Sequence, residues 1–506
     1  MRKLQYFWNS KSTQNIYLLV KPHTQGNTLL KQEVNCDFMT NLKLQNKSKI
    51  LKNNYSDSLR LTLDAVEVGL RAVNPVSLMK NSVKLRRNRL SIIDYNGRKI
   101  DFDFGSFKSI YLIGAGKATA SMADAFIGIL RNRKIKDGCI TVPYGLKMKN
   151  KMCSVTNAAH PIPNSNGVLG TNKIMKLLEK VKKNDLLVMF LSGGASALMP
   201  LPLDILTLHE KQNITMKLLS SGATIDEMNI VRKHLSKIKG GKLASIINKK
   251  FPVLTLILSD VVEDKIDVIA SGPTVPDPTT FKDAKKILVK YKLWRNQKLV
   301  SKKIRDLISD GVSGNIGDTP KPGDPIFTNI HNVIIGNNNI ACKNIKLFLE
   351  KNGIKTMYLG SRFTGKPGAL GHFLFRLVDN FPSISAPYAF VFGGETTVDL
   401  KNKIKGIGGR NQEGVLSAAA HFEHLDHDMD FSIASFGTDG IDGNSLAAGA
   451  IVNPRILLRV RQKKLKISNY LRNHDSNSLF DTVDAALYTK ITGTNVNDVS
   501  IVCRLR

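Results

Sequence analysis

Hydrophobic positions along the chain follow two patterns, which predict a succession of strands and helices. Apolar runs with the length of buried strands lie at 110–113, 186–191, 253–258, 332–335, 355–359, 389–392 and 431–435. Apolar residues at helical spacing fill 59–73, 118–130, 340–351 and 413–422. The first of these helices is expected to end at Asn74-Pro75. Strands that give way to helices indicate an α/β fold with a mainly parallel sheet, which binds ligands beyond the carboxyl ends of its strands.

The length of 506 residues predicts two domains, because a single hydrophobic core rarely organises so long a chain. The turn-rich stretch 319–325 is the predicted boundary, which divides the chain into 56–320 and 321–506. Residues 1–55 form a basic, acid-poor leader that lacks a sustained helical or strand period. This leader is either a mitochondrial transit peptide or a disordered extension.

Composition predicts a soluble protein of a reducing compartment, either the cytoplasm or the mitochondrion. Hydrophobic residues make up 42% and charged residues 23% of the chain, and no apolar run approaches the length of a membrane span. The five cysteines are scattered and never occur as a Cys-x-x-Cys pair. This spacing argues against both a zinc site and a disulfide framework.

The formal net charge of +33 raises the question of a nucleic-acid partner. The lysines are spread along the chain, often beside asparagines, and aromatic residues make up only 7%. Nucleic-acid binders instead combine basic grooves with stacking aromatics. We therefore attribute the charge to a Lys/Asn-rich composition, expect no nucleic-acid or membrane partner, and expect long-range attraction of anionic ligands.

Three predicted strands open into predicted loops with paired glycines, which let backbone N–H groups approach a ligand. The candidate binding residues in these segments are Gly114, Gly116, Ser192, Gly193, Gly194, Ser196, Gly393, Gly394, Glu395 and Thr396. The first segment lacks the hydroxyl residue that follows Lys in a P-loop, and the third glycine of a dinucleotide fingerprint. A dinucleotide-dependent oxidoreductase that uses this segment stays an alternative.

Charged residues beside these segments supply candidate chemistry. Lys117 begins a helix after the first glycine pair, and Arg410 begins another, followed by Asn411 and Glu413 as further candidate binding residues. Both cations suit a phosphate or a carboxylate. Asp260 and Asp439 follow strands, and their oxygens suit Mg²⁺, which takes one or two carboxylates together with phosphates.

Taken in order, these segments resemble the glycerate kinases of the second class, which include animal D-glycerate kinase and microbial glycerate 2-kinases. The matching segments are 114–118, 160–163, 191–198, 231–244, 258–261, 270–278, 393–397, 408–413 and 437–440. The resemblance implies a Rossmann-like first domain, a smaller α/β second domain and an active site in the cleft between them. It also implies transfer of a phosphoryl group from ATP to D-glycerate with a divalent metal, and catalytic roles for Lys117 and Arg410.

One position departs from the family pattern. Relatives tend to carry an acidic residue before Ala-Ala-Gly-Ala, where this chain has Leu446. Leucine can neither bind a cation nor accept a proton, so a catalytically impaired family member is a further alternative. The sequence leaves open which hydroxyl of glycerate is phosphorylated and which cation holds which anionic group.

Overall fold

The computed structural model of the protein describes residues 42–296, 299–379, 385–399, 406–422 and 429–506. The helices are α1 (Lys47–Asn54), α2 (Asp57–Ala72), α3 (Pro75–Ser82), α4 (Thr119–Leu130), α5 (Ser165–Leu178), α6 (Ala195–Leu198), α7 (Leu208–Ser220), α8 (Ile225–His234), α9 (Lys242–Ile247), α10 (Phe281–Lys290), α11 (Lys302–Ser313), α12 (Asn338–Lys351), α13 (Pro367–Asp379), α14 (Arg410–His421), α15 (Pro454–Gln462), α16 (Ile467–Arg472) and α17 (Ser476–Thr482). None of these helices is both long enough and apolar enough to cross a membrane.

The strands fall into three sheets, and most of the predicted apolar runs lie in them. In chain order they are β1 (Val83–Arg86), β2 (Arg89–Ile93), β3 (Lys99–Asp103), β4 (Ile110–Ala115), β5 (Ile135–Pro143), β6 (Ser154–Ala158), β7 (Leu186–Leu191), β8 (Val253–Leu258), β9 (Ile330–Gly336), β10 (Lys355–Tyr358), β11 (Phe363–Gly365), β12 (Tyr388–Thr396), β13 (Phe431–Gly437), β14 (Gly449–Val452), β15 (Ala486–Leu487) and β16 (Asp498–Arg504).

The first large sheet has the strand order β6-β5-β4-β7-β8-β9, and every neighbouring pair in it is parallel. Strands β4, β7 and β8 are buried along their whole length, as expected for a parallel sheet covered on both faces. The carboxyl ends of these three central strands lie side by side. The predicted α/β fold with a mainly parallel first sheet is confirmed.

The second large sheet is mixed and has the order β10-β12-β16-β13-β14-β15, with β11 beside β12. Strand β16 lies between β12 and β13 and is antiparallel to both. Its first residues therefore lie beside the last residues of its two neighbours. A small antiparallel sheet, β1-β2-β3, precedes the first large sheet and was not predicted from the sequence.

Both ends of the predicted first domain differ from the structure. Strand β9 lies beyond residue 321, yet it pairs with β8 in the first sheet. Helix α2 packs instead against the second sheet, where Thr62 and Ser432 share a hydrogen bond of 2.6 Å between their hydroxyl oxygens. We therefore propose a domain division that assigns β9 to the first sheet and α2 to the second.

The predicted leader also ends earlier than residue 55. Residues 1–41, with both explanations offered for them, lie outside the described residues. Residues 42–55 contain α1, and the side chains of Leu42, Leu44 and Ile50 are buried in the large core. The Lys47 ammonium lies 2.5 Å from a carboxylate oxygen of Asp64 in α2. This part of the leader therefore belongs to the folded protein.

Candidate active site

The ends of β4 and β7 are locked together by a close backbone contact. Gly116 has a φ of +137°, and a Cβ atom on it would lie 2.1 Å from the hydroxyl oxygen of Ser192. The backbone N–H of Lys117 donates to the carbonyl of Gly193 across the same contact, at 2.9 Å. Glycine is therefore required at 116 by both its conformation and its surroundings.

The backbone amides of this first glycine segment already have acceptors within the protein. Gly116 donates to the carbonyl of Thr141 at 3.2 Å, and Ala118 donates to the Ser192 hydroxyl at 3.0 Å. With the bond made by Lys117, three consecutive N–H groups at this turn are occupied. A dinucleotide pyrophosphate would need such groups free, so the geometry disfavours the oxidoreductase alternative.

The side chain of Lys117 reaches from the first sheet to the second. Its Nζ atom lies 3.1 Å from an Oδ atom of Asp439, which follows β13. The Lys117 side chain retains 29% of its accessible surface and that of Asp439 retains 24%. Both charged groups are therefore paired with each other and still accessible to a ligand.

Arg410 begins α14 and is held by two carboxylates. Its Nε and Nη2 atoms donate to the two oxygens of Asp498 at 2.5 and 3.1 Å, and Nη1 donates to Glu395 at 2.6 Å. Burial disfavours the charged guanidinium, but Asp498 and Glu395 outweigh this effect and raise the pKa of Arg410. The cation is fixed in orientation, as its bidentate geometry requires.

The carboxylates of the two cation–carboxylate pairs lie close to one glycine at the end of β13. A Cβ atom on Gly437 would lie 3.3 Å from Oδ1 of Asp439 and 3.5 Å from Oδ1 of Asp498. Because Lys117 contacts the first of these carboxylates and Arg410 the second, the two cation–carboxylate pairs lie near each other around this glycine. A shared role for the two cations in catalysis stays a prediction.

Asp260 follows β8 and packs against the glycine pair after β7. Its Oδ2 atom would lie only 2.5 Å from a Cβ atom placed on Gly193. Burial is the main reason that the pKa of Asp260 rises to about 6, with Lys117 opposing and Glu395 and Asp439 adding to the rise. The carboxylate therefore changes its charge close to neutral pH.

His160 lies over the same glycine pair. A Cβ atom on Gly194, whose φ is +85°, would lie 2.7 Å from Cδ2 of the imidazole ring. Desolvation by the surrounding chain and the charge of Lys117 lower the pKa of His160 to about 4, and Asp439 opposes this effect. The ring is therefore neutral at pH 7.

The third glycine segment is a strand and not the predicted loop. Strand β12 continues through Gly393 and Gly394 to Thr396, and pairs with β11 on one side and β16 on the other. A Cβ atom would meet the side chain of Asn338 at Gly393, and the carbonyl oxygen of Phe363 at Gly394. These glycines allow close packing around the strand end. A direct ligand contact for them, and for the buried Thr396, stays a prediction.

Other polar residues near Arg410 already have hydrogen-bond or salt-bridge partners within the protein. Asp442 accepts hydrogen bonds from the backbone and side-chain amides of both Asn411 and Gln412, at 2.9–3.2 Å. It thereby satisfies the free N–H groups at the start of α14. Glu413 pairs with Nδ1 of His474 at 2.8 Å. These contacts position Arg410 through its helix, and a binding role for Asn411 and Glu413 stays a prediction.

The sequence reading missed two polar residues of the crevice, Asp498 and Asn495. Asn495 donates to Oδ2 of Asp260 at 3.4 Å, and Asp498 binds Arg410 as described above. Both precede the apolar core of β16, whose first residue is Asp498. The usable signal is a polar cluster that precedes a strand, but it points to the site only once that strand is known to be antiparallel.

Cations paired with carboxylates suit phosphoryl transfer, because that reaction depends mainly on positioning the reactants and stabilising their charge. A model described as a domain of unknown function (DUF4147) matches residues 61–309, and a model of the MOFRL family matches residues 388–498. The glycerate 2-kinase of Pyrococcus horikoshii is 36% identical over 87% of this chain and 98% of its own length. The D-glycerate 2-kinase of Thermotoga maritima is 36% identical over 78% of this chain and 90% of its own length.

The fold agrees with these relatives. A crystal structure of glycerate kinase from Thermotoga maritima superposes with a TM-score of 0.75 at 32% identity, and covers 88% of this chain and 99% of that one. The chain therefore belongs to the second class of glycerate kinases.

Proposed function

We propose that this protein is an ATP-dependent glycerate kinase, which transfers the γ-phosphoryl group of ATP to a hydroxyl of D-glycerate. The products are phosphoglycerate and ADP. The observation that carries the proposal is that Lys117 and Arg410 each bind a carboxylate, and that both carboxylates lie close to one glycine, Gly437. The names of the Pyrococcus horikoshii and Thermotoga maritima relatives agree with this assignment.

Charge stabilisation is the role that we assign to the two cations. In the transfer, a hydroxyl oxygen of glycerate bonds to the γ-phosphorus while the bond from that phosphorus to the β-phosphate oxygen breaks. Negative charge on the transferred oxygens and on the leaving oxygen is the main obstacle to this exchange. Lys117 and Arg410, which retain 29% and 32% of their side-chain surface, would stabilise that charge.

Asp260 and Asp439 are the residues that we propose as ligands of Mg²⁺. Burial raises the pKa of Asp260, and the negative charges of Glu395 and Asp439 raise it further, so a divalent cation near Asp260 and Asp439 would offset this repulsion. Two carboxylates complemented by phosphate oxygens suit Mg²⁺. Among the described residues no group of three or more Asp, Glu, His or Cys side chains forms a complete metal site, so the nucleotide would supply the remaining ligands. When bound, Mg²⁺ would neutralise charge on the nucleotide phosphates.

The proton of the attacking hydroxyl needs an acceptor, for which Asp260 is the better candidate of the two. Its pKa of about 6 places a carboxylate base close to neutral pH. Asp439 is instead paired with the ammonium of Lys117, 3.1 Å away. Of the two candidate metal ligands, we therefore assign proton acceptance to Asp260 and keep Asp439 as the ligand of Mg²⁺.

Product analysis tests the function directly. The protein, incubated with ATP, Mg²⁺ and D-glycerate, should give ADP and one phosphoglycerate in equal amounts by phosphorus NMR. The chemical shift and coupling pattern identify the hydroxyl that received the phosphoryl group. Absence of any ATP-dependent product, together with glycerate-dependent reduction of NAD⁺ or NADP⁺, would replace the kinase with the oxidoreductase alternative.

A further inference from the structure

A cluster of three basic side chains next to the proposed active site has no carboxylate partner among the described residues. Its members are Lys211 of α7, Arg232 of α8 and Lys239, which follows α8. Arg232 and Lys239 contact Ser196 of α6, and the charges of Lys211, Arg232 and Lys239 act on one another. The loop before Ser196 also carries the glycine pair that touches Asp260. We call these three residues the basic cluster.

Two of the three cations converge on a single hydroxyl. The Oγ atom of Ser196 lies 2.5 Å from Nη2 of Arg232 and 2.6 Å from Nζ of Lys239. Lys239 also donates to the backbone carbonyl of Ser196, at 2.8 Å. The Arg232 guanidinium has five N–H donors, and the bond to Ser196 is the one hydrogen bond it makes within the described part of the chain. Arg232 therefore has donors to spare, whereas Lys239 holds the serine in place.

The third cation has no partner in the described parts of the chain. The side chain of Lys211 is buried, with a relative exposure of 6%, and its Nζ atom lacks any hydrogen-bond partner there. Burial lowers the pKa of Lys211, and the charges of Arg232 and Lys242 lower it further. Burial and the charges of Arg232 and Lys211 lower the pKa of Lys239 in the same way. A buried cation without a counter-charge is strongly unfavourable.

The neighbours of Arg232 on α8 show that the fold can supply counter-charges where it needs them. Lys233 lies 3.1 Å from Asp267 and 3.4 Å from Asp277. His234 donates from Nε2 to a carboxylate oxygen of Asp318 at 2.9 Å. Arg232, the residue just before them, receives no such partner within the described ranges. The lack of a negatively charged partner is therefore confined to the basic cluster and does not extend to its neighbours on α8.

We propose that the basic cluster, with the hydroxyl of Ser196, binds an anionic oxygen group of a substrate. The inference rests on the proposed kinase function, which supplies two sources of this chemistry, the carboxylate of glycerate and the phosphates of ATP. Arg232 and Ser196 contact the anion, and Lys239 and Lys211 stabilise it from behind. An anion there supplies the counter-charge that the three cations lack.

Ligand binding in the absence of turnover tests the inference. We would measure dissociation constants of D-glycerate, ADP and inorganic phosphate by calorimetry and thermal shift, for the wild type, Arg232→Met and Lys211→Met. Each variant should weaken one class of ligand at least about tenfold, which is the value of a charged hydrogen bond. Loss for glycerate alone assigns the cluster to the carboxylate, and loss for ADP and phosphate assigns it to the nucleotide.

Stability without ligand separates binding from a structural role. Because Nζ of Lys211 has no partner in the described residues, Lys211→Met should leave the unliganded melting temperature unchanged or raise it. Lys217→Met, an exposed position on the same helix, is the matched control and should bind all ligands as the wild type does. Unchanged dissociation constants in both cluster variants, with or without a lower melting temperature, would overturn the inference.

Failure of the kinase proposal is distinguishable from failure of this inference. A wild type that forms no phosphoglycerate, but whose anion binding depends on Arg232 and Lys211, would retain the anion site and lose the kinase. Normal turnover with an unchanged KM for both substrates in the two variants would retain the kinase and exclude the anion site.

Discussion

Lys117 and Asp439 form a salt bridge of 3.1 Å that joins the end of one sheet to the end of the other. The lysine follows β4 of the parallel sheet, and the aspartate follows β13 of the mixed sheet. Carboxyl ends of strands from two sheets therefore meet at this point, as expected for a ligand-binding crevice. Because both side chains stay partly exposed, a phosphate group could take the place of the aspartate beside Lys117.

Loss of the Lys117 charge should lower turnover strongly with little effect on stability. We expect Lys117→Met to lower kcat/KM by about 10²–10⁴-fold, the range that removal of a stabilising cation produces. The side chain is partly exposed, so the melting temperature should change little. A coupled ADP-release assay measures the effect, and Lys176→Met on α5, an exposed lysine, is the control. Near-normal turnover in Lys117→Met would remove this residue from the mechanism.

The planar, forked geometry of the Arg410 guanidinium should matter for catalysis as much as its charge does. Its guanidinium contacts Asp498 through two nitrogens and Glu395 through a third, a geometry that lysine cannot reproduce. We expect Arg410→Lys to lose at least about tenfold in kcat and Arg410→Ala about 10²–10³-fold. Arg455→Ala, at an exposed position of α15, should behave as the wild type. Full activity in Arg410→Lys would mean that charge alone is needed.

The pH dependence of turnover should follow Asp260. Its pKa of about 6 means that the carboxylate is protonated below that pH, where it can neither bind a metal nor accept a proton. We expect kcat/KM to fall about tenfold per pH unit on the acid side. Asp260→Asn should abolish most activity. A profile that stays flat down to pH 4.5 would exclude Asp260 from both roles.

The same group should act on stability in the opposite direction. The pKa of Asp260 is raised from 3.8 to about 6 in the folded protein, so the folded state binds the proton more tightly than the unfolded chain does. Through this group, stability rises as the pH falls from about 7 toward 4. Asp260→Asn should therefore stabilise the protein at pH 7.5, on the order of 1–2 kcal/mol. Urea unfolding of the wild type and of Asp260→Asn, at pH 7.5 and near pH 4, measures the free energy of unfolding. A less stable Asp260→Asn at pH 7.5 would contradict the assignment.

How far the sequence predicts this molecule depends on whether the signal is local. The central strands β4, β7 and β8 are continuous apolar runs that end in glycine or polar residues, and their positions are confirmed within one or two residues. The prediction of a loop at Gly393 and Gly394 was wrong, because a glycine pair is typical of a turn. Here the two glycines lie in a strand, where the close packing of Asn338 and Phe363 requires them. Spatial partners such as Asp498 depend on strand order, which no local pattern encodes.

The site residues show the same division. Lys117 and Arg410 were found because each follows glycines at the start of a helix, a feature visible in the sequence. The basic cluster was not found, since the absence of a counter-charge around Arg232 becomes evident only in three dimensions. The role of Asp442 is likewise visible only in the structure, where its oxygens accept hydrogen bonds from the amides that start α14.

The close approach of Gly193 and Asp260 predicts a graded loss of activity from one methyl group. In Gly193→Ala the new Cβ would lie 2.5 Å from Oδ2 of Asp260, so the carboxylate must move. We expect kcat to fall about 10–100-fold, because displacement by about 1 Å is costly in an active site. Gly128→Ala, in α4 with open space around the new Cβ, is the control and should stabilise the protein by about 0.5–1 kcal/mol. Wild-type kcat in Gly193→Ala would show that Asp260 need not be held there.

The unusual Leu446 should have little influence on catalysis. Its side chain is 68% exposed, and the next polar residue, Ser445, is tied to Gln412 and to the Asp442 carbonyl. The crevice already holds carboxylates from Asp260 and Asp439, so we expect a wild-type protein that is active. Leu446→Glu should change kcat/KM by less than about threefold, as most exposed substitutions do. The measurement is the ADP-release assay at saturating ATP and varied D-glycerate, with Leu446→Gln to separate charge from shape. A gain well above that in Leu446→Glu, but not in Leu446→Gln, would instead identify the chain as an impaired kinase that lacks an acidic group.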